Sequence, residues 1–291
     1  MPQQQNGGGG ETGRRAAVLG SPVAHSLSPA LHAAAYAALG LTGWRYDAIE
    51  CDEAGLSGFV DRLGPEWAGL SLTMPLKRAA LRVADEVSPL AAAVGAANTL
   101  LLDGSGGRGH RRVDNTDVPG IASALREAGL ERVSRAVVLG AGGTAQAALA
   151  ALAELGERQP TVLVRDTSRT SELRTAADRL GVRPTVRGTL TRAPLPEADL
   201  ILSTLPRGAA DRLRPVRWDP GTVVLDVVYA PWPTPLAAAA AEAGCRVVSG
   251  LAVLLHQAVA QVELMTGRPG PVEAMRAGLA EAVTARAARL G

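Results

Sequence analysis

Cysteine and aromatic residues are scarce in this 291-residue sequence. The two cysteines, Cys51 and Cys245, are far apart, which excludes a disulfide framework and a cysteine-based zinc site. Four Trp, three Tyr and one Phe are too few for the stacking surfaces that bind single-stranded nucleic acid. The four histidines show no spacing typical of metal ligands. We therefore predict no bound metal.

An excess of charge of either sign is also missing. Thirty Lys and Arg residues oppose 28 Asp and Glu, and no basic run exceeds two residues, which argues against nucleic acid as a partner. The longest stretch without these charged residues, 16–44, contains prolines, serines and histidines and does not resemble a membrane span. Residues 1–13 lack the basic and apolar regions of a signal peptide, so we expect a flexible tail. We expect a cytoplasmic enzyme or binding protein.

Lysine is the scarcest charged residue, since Lys77 stands alone beside 29 arginines. The bias towards arginine is typical of a GC-rich genome, and a single surviving lysine can be chance. An ammonium group can release its proton in a protein, however, whereas a guanidinium group does not. Lys77 is therefore a candidate for proton chemistry.

Apolar strands alternate with helical segments along the whole chain, which predicts an α/β fold with a doubly wound sheet in the second half. Strands are predicted over 14–19, 44–51, 69–72, 135–139, 161–164, 199–203, 223–228 and 245–248. A glycine-rich turn at 103–109 predicts a hairpin of strands 98–102 and 110–113. Closing this hairpin should bring Asn98 close to Asp117.

A glycine-rich turn, GAGGTA at 140–145, follows a predicted strand and precedes a predicted helix. Small residues there permit a tight turn and close approach to a pyrophosphate, which the helix N-terminus can bind. The alternative is a purely structural turn. Arg165 and Arg169, after the next strand, suit the 2′-phosphate of NADP, whereas Asp166 favours NAD. A solvated charged loop is the third possibility for that segment.

Polar side chains suited to a small polyhydroxy acid lie beside the ends of predicted elements. Ser26 and Ser28 precede a helix that begins at Pro29, where hydroxyls and free N–H groups can bind a carboxylate. Simple capping of the helix by Ser28 is the alternative. Further loops offer a hydroxyl, an ammonium, an amide and a carboxylate, at Thr73, Lys77, Asn98 and Asp117.

Six motifs, in this order along residues 15 to 280, resemble those of the shikimate dehydrogenase family. They are GSPVAHSLSPALH (20–32), SLTMPLK (71–77), GAANT (95–99), DNTD (114–117), GAGGTA (140–145) and Gly250-Leu251 with His256-Gln257-Ala258. The resemblance implies NADPH-dependent reduction of 3-dehydroshikimate to shikimate. It also implies an active site between a substrate domain (14–113, completed by helices 251–291) and a Rossmann domain (114–250).

The resemblance also assigns roles to single residues. Lys77 and Asp117 would form the catalytic pair, and Ser26 and Ser28 would hold the substrate carboxylate. The ring hydroxyls would be bound by Thr73, Asn98, Asp117 and Gln257, with Tyr229 nearby. Cofactor contacts are implied for Gly140, Ala141, Gly142, Gly143, Thr144, Arg165, Arg169, Ser203, Thr204, Val227 and Gly250.

One departure concerns the cofactor, because the usual Asn-Arg-Thr of the family is Val164-Arg165-Asp166 here. Both arginines remain, so NADP is the prediction. Activity on quinate with NAD is the nearest alternative, although the serine at position 28 favours shikimate. A non-catalytic shikimate sensor and a Rossmann interaction module are further alternatives, and a monomer or a homodimer is expected.

Overall fold

The computed structural model describes residues 13–103, 109–188, 195–211, 213 and 218–290. Two six-stranded sheets organise this part of the chain. The predicted tail lies outside the described residues, apart from Gly13, as does most of the predicted turn at 103–109. Among the described residues, no helix is both long and apolar enough to cross a membrane.

The first sheet is mixed, with strand order β2-β1-β3-β5-β6-β4. Its strands are β1 (Arg15–Gly20), β2 (Arg45–Glu50), β3 (Trp67–Leu72), β4 (Glu86–Val87), β5 (Thr99–Leu102) and β6 (Arg111–Asp114). Helices α1 (Ser28–Ala38), α2 (Glu53–Val60), α3 (Ala80–Val83) and α4 (Pro89–Val94) lie between them. β5 and β6 pair antiparallel, with Leu100 opposite Val113, which confirms the predicted hairpin.

The second sheet is parallel throughout, with order β12-β11-β10-β7-β8-β9. Its strands are β7 (Ala136–Leu139), β8 (Thr161–Leu163), β9 (Thr185–Arg187), β10 (Leu200–Ser203), β11 (Val223–Asp226) and β12 (Arg246–Ser249). The remaining helices are α5 (Asp117–Glu127), α6 (Gly143–Glu154), α7 (Ser171–Leu180), α8 (Pro235–Glu242), α9 (Gly250–Thr266) and α10 (Val272–Leu290). The order reverses between β7 and β10, where doubly wound sheets bind ligands at the carboxyl ends of the strands. The predicted α/β fold is confirmed.

The start of α1 differs from the capping that the sequence allowed. The helix begins at Ser28 itself, and Leu27 occupies the N-cap position without a side-chain acceptor. The Ser26 hydroxyl takes over that task, because it accepts the Ser28 N–H at 3.2 Å. The alternative interpretation, that Ser28 caps the helix, is therefore wrong. Ser26 has a structural role that the sequence did not indicate.

The two C-terminal helices return to the first half of the chain. α9 packs against α5 and also reaches β3 and β5, while α10 packs along α1. Gly120 makes the first contact possible, since a Cβ there would lie 2.8 Å from the Gln257 Cβ. α9 therefore lies against the two central strands of the first sheet and against α5, the helix that precedes the second sheet.

Candidate active site

A cavity of about 480 Å³ lies at the junction of the two sheets. All eight residues that were predicted to bind substrate line it: Ser26, Ser28, Thr73, Lys77, Asn98, Asp117, Tyr229 and Gln257. Three predicted cofactor residues, Thr144, Val227 and Gly250, line the same cavity. The substrate and cofactor candidates are thus adjacent, although they come from distant parts of the sequence.

An ion pair between Lys77 and Asp117 lies in this cavity. The Lys77 Nζ is 2.5 Å from the Asp117 Oδ2, and the two side chains are 24% and 11% exposed. The backbone of Lys77 is fixed by its carbonyl, which accepts the Ala97 N–H at 2.7 Å. Asp117 opens α5, whose first N–H groups are accepted by the Asn115 side chain. The ammonium group is therefore held in place while part of its surface stays accessible.

Asn98 fixes the other carboxylate oxygen. Its Nδ2 donates to the Asp117 Oδ1 at 2.9 Å and to the Gln257 Oε1 at 3.4 Å. Its Oδ1 accepts the Thr116 N–H at 2.7 Å, which determines which way the amide faces. This contact between Asn98 and Asp117 confirms the proximity that the hairpin predicted.

A buried polar network beneath the cavity was missed in the sequence. The Tyr46 hydroxyl donates to the Ser71 Oγ at 2.6 Å, and Ser71 donates to the Gln261 Oε1 at 2.7 Å. The Gln261 Nε2 then donates to the Asn98 carbonyl at 3.2 Å. Burial raises the pKa of Tyr46, which keeps its hydroxyl protonated as a donor. Helical spacing was the available signal, because Gln261 lies four residues after Gln257 and so shares its face.

A second cavity, of about 490 Å³, surrounds the glycine-rich turn. Gly140 has φ +106°, and a Cβ there would lie 2.6 Å from the Thr204 Oγ1. Gly142 and Gly143 face open space instead, with nothing within 4 Å of an added Cβ. Helix α6 begins at Gly143 without a side-chain cap. These residues fit a dinucleotide pyrophosphate, because the backbone is accessible and the helix N-terminus is free to bind an anion.

Charged side chains of both signs surround the same cavity. Arg165 and Arg169, the candidates for the 2′-phosphate, line it together with Arg78 and Glu172, which form an ion pair. Asp166 also lines it, and its Oδ1 accepts the Ser168 N–H and hydroxyl at 2.9 and 2.7 Å. These hydrogen bonds lower the pKa of Asp166, so its carboxylate is ionised. Three guanidinium groups against two carboxylates leave one net positive charge, which suits a phosphate.

Gly250 and Ser203, both cofactor candidates, differ in whether they reach a cavity. A Cβ on Gly250 would lie 2.0 Å from the Val227 carbonyl oxygen, so the start of α9 requires glycine. Ser203 is fully buried at the end of β10 and is absent from the lining of both cavities. The structure therefore does not bring Ser203 to the site that the resemblance implied. The described residues contain no cluster of three potential metal ligands.

A doubly wound parallel sheet with a glycine-rich turn, beside a polar cavity that contains a lysine–aspartate pair, is typical of two-domain α/β dehydrogenases. Family models described as "Shikimate dehydrogenase substrate binding domain" and "Shikimate 5'-dehydrogenase C-terminal domain" match residues 18–100 and 250–278. The shikimate dehydrogenase (NADP(+)) of Moorella thermoacetica is 39% identical over 92% of this chain and 93% of its own. The chain belongs to the shikimate dehydrogenase family.

Solved structures agree with this membership. The Mycobacterium tuberculosis shikimate dehydrogenase is 47% identical, with a TM-score of 0.81 over 92% of this chain and 99% of that one. A shikimate 5-dehydrogenase from Thermus thermophilus, solved with NADP(H) and shikimate, is 34% identical. Its TM-score is 0.79, over 92% of this chain and 99% of that one. The similarity therefore covers both sheets and the cavity between them.

Proposed function

We propose that this protein is an NADP-dependent shikimate dehydrogenase, which reversibly reduces 3-dehydroshikimate to shikimate in aromatic amino acid biosynthesis. One observation carries the proposal: the eight predicted substrate residues converge on one cavity that also contains Thr144, Val227 and Gly250. The relatives named as NADP(+)-dependent shikimate dehydrogenases, and the neighbour solved with NADP(H) and shikimate, support the same activity.

Lys77 and Asp117 carry out the proton chemistry in this proposal. NADPH, when bound, supplies the hydride that reduces the C3 carbonyl of the substrate. The Lys77 ammonium stabilises the negative charge that develops on the carbonyl oxygen and delivers a proton to it. Asp117, at 2.5 Å, orients the ammonium, and Asn98 orients Asp117 through its second oxygen. The donor is therefore positioned before the substrate arrives.

The other lining residues bind the two ligands. Ser26 and Ser28 hold the substrate carboxylate, while Thr73, Gln257 and Tyr229 contact the ring hydroxyls. Residues 140–144 bind the pyrophosphate through backbone N–H groups, and Arg165 and Arg169 bind the 2′-phosphate. Thr204, Val227 and Gly250 surround the rest of the dinucleotide. We assign no such contact to Ser203, because it is buried.

The division of the chain follows from these roles. Residues 14–113 and 251–291 form the substrate domain, and residues 114–250 form the Rossmann domain. The packing of α10 on α1 and of α9 on β3 and β5 supports the return of the C-terminal helices to the substrate domain. A cytoplasmic location and a monomeric or homodimeric state stay predictions.

Oxidation assays with both candidate substrates and both cofactors test the proposal. We expect the highest kcat/KM for shikimate with NADP+, because the second cavity carries net positive charge. A preference for quinate with NAD+ would favour the alternative that Asp166 raised. Binding of shikimate without turnover in any combination would identify a non-catalytic sensor instead.

A further inference from the structure

Arg286, in the last helix, carries a charge in the substrate cavity that no described carboxylate compensates. Apart from His25, three side chains that carry a full charge line this cavity: Lys77, Asp117 and Arg286. The first two neutralise each other. Arg286 donates from its Nη1 to the His25 carbonyl at 3.0 Å, and within the described ranges no acidic group lies at ion-pairing distance. The cavity therefore has a net positive charge.

The guanidinium lies at the end of the cavity that contains the two serines. His25 directly precedes Ser26, so the hydrogen bond to the His25 carbonyl fixes Arg286 beside the turn that leads into α1. Tyr229 is close by as well. Burial raises the pKa of Tyr229, and the positive charge of Arg286 acts against that rise.

Packing of α10 on α1 gives Arg286 a defined position. Met275 and Leu279 are buried in one cluster with Leu27 and Leu31. A Cβ on Gly278 would lie 2.6 Å from the Ala34 Cβ, so the two helices are in close contact. Arg286 lies about two turns after Gly278 on the same helix. The guanidinium thus approaches the cavity from a packed helix.

We propose that Arg286 is a specificity residue that attracts and orients the carboxylate of the substrate. A guanidinium group has five N–H donors, and Arg286 uses one of them on His25. The others are available for a carboxylate that Ser26 and Ser28 also bind, and such charge-assisted hydrogen bonds are stronger than neutral ones. The last helix would then select polyhydroxy carboxylates over neutral polyols. This inference rests on the proposed function.

Steady-state kinetics of Arg286→Gln and Arg286→Lys test the role. We expect Arg286→Gln to raise the KM for shikimate about tenfold, with kcat and the KM for NADP+ unchanged, because one charged contact is lost. Arg286→Lys keeps the charge and should recover most of the loss. Arg289→Gln is the matched control, since Arg289 is exposed on the same helix and does not line the cavity.

The methyl ester of shikimate separates charge recognition from packing. Its carboxyl group is neutral, so wild type and Arg286→Gln should show the same kcat/KM for the ester. Added salt should weaken shikimate binding more in wild type than in Arg286→Gln, because screening acts on the charged contact. Equal losses for the acid and the ester would mean that Arg286 only holds α10, and the proposal would be wrong.

Calorimetry measures the binding of shikimate by the wild type, Arg286→Gln and Arg289→Gln. This measurement distinguishes failure of the present inference from failure of the proposed function. Absence of shikimate oxidation by the wild type would reject the activity. A weaker affinity in Arg286→Gln, with wild-type affinity in Arg289→Gln, would still support carboxylate recognition. Equal affinities in all three proteins would reject the role of Arg286.

Discussion

At the scale of single residues, Lys77 is the residue that the sequence singled out and the structure places in contact with Asp117. Its scarcity was visible because 29 other basic positions are arginine. The polar residues that surround this pair were less visible. Asn98 and Asp117 could be brought together by the hairpin, but Gln261 reaches Asn98 across 163 positions of sequence. Helical spacing places Gln261 on the face of α9 that carries Gln257, but it does not specify which strands that face meets.

Replacement of Lys77 by Met should reduce kcat about 10²- to 10⁴-fold, with a much smaller rise in KM, because it removes proton donation in the transition state. Initial-rate measurements with shikimate and NADP+ check this. Lys77→Arg is the sharper variant, since it keeps the charge but lacks an easily transferred proton. Near-normal turnover of Lys77→Arg would exclude Lys77 as the proton donor.

His32 should make the fold sensitive to acid. It is fully buried, stacks on Tyr46 with ring centroids 3.8 Å apart, and burial lowers its pKa to about 3 from an ordinary value of 6.5. The unfolded chain therefore binds the proton that the folded chain excludes, so stability falls as pH drops from about 6.5 towards 3. The contribution of His32 is fully present above pH 6.5.

Urea unfolding at pH 7.5 and 5.5 measures this effect. We expect His32 to account for a loss of about 1.4 kcal/mol between the two pH values, since only the first pH unit below 6.5 is crossed. His32→Gln should lose that part of the pH dependence, whatever its stability at pH 7.5. His110→Gln, which removes an exposed histidine, should keep it. An unchanged pH dependence in His32→Gln would contradict the assignment.

At the scale of elements, local signals predicted structure where glycine, proline and alternating apolar residues mark it. The turn at 140–145 and the hairpin of β5 and β6 are examples. Helix α7 was missed although its buried residues, Leu173, Ala176 and Ala177, recur at helical spacing among charged residues, which is typical of an amphipathic helix. The short helix α4 carried a signal that was not used, a Ser88-Pro89 start like that of α1.

Gly140 and Gly143 perform different tasks in one turn, and alanine substitution should separate them. Gly140→Ala should cost about 1–3 kcal/mol of stability, because φ +106° disfavours a side chain and the new Cβ meets Thr204. Thermal unfolding of the apoprotein measures this loss.

Gly143→Ala is the matched variant, since a Cβ there meets nothing within 4 Å. We expect its Tm to stay close to wild type while the KM for NADP+ rises, because the methyl group occupies space that the pyrophosphate needs. A Tm loss as large as that of Gly140→Ala would show that Gly143 is structural, contrary to this division of roles.

At the scale of the whole molecule, the class of both sheets followed from periodicity, whereas their mutual arrangement was expected only from the family resemblance. Alternation of strands and helices predicts a doubly wound sheet, since each parallel crossover needs a helix. The docking of α10 on α1 joins residues far apart in the chain, and Arg286 reaches His25 across 261 positions. Such docking depends on the shapes of packed surfaces, as where Gly278 meets Ala34. Periodicity within one helix contains no information about this.

The ion pair of Arg78 and Glu172 links the two halves of the molecule beside the second cavity. Arg78 follows Lys77 in the first half, whereas Glu172 belongs to α7. Their side chains are 41% and 59% exposed, so the pair adds little stability. The Glu172 carboxylate, however, shares the cavity with Arg165 and Arg169 and opposes the binding of a phosphate there.

Glu172→Gln should therefore lower the KM for NADP+ several-fold, because one negative charge leaves the cavity and Arg78 is released from its partner. The KM for NAD+ should fall less, since that cofactor has the pyrophosphate but lacks the 2′-phosphate, and the Tm should change little. Steady-state kinetics at low ionic strength provide the measurement, with Glu242→Gln on α8 as an exposed control outside the cavity. A higher KM for NADP+ in Glu172→Gln would contradict this expectation. It would mean that the ion pair positions the two halves for cofactor binding, and that this effect outweighs the repulsion between the Glu172 carboxylate and the phosphate.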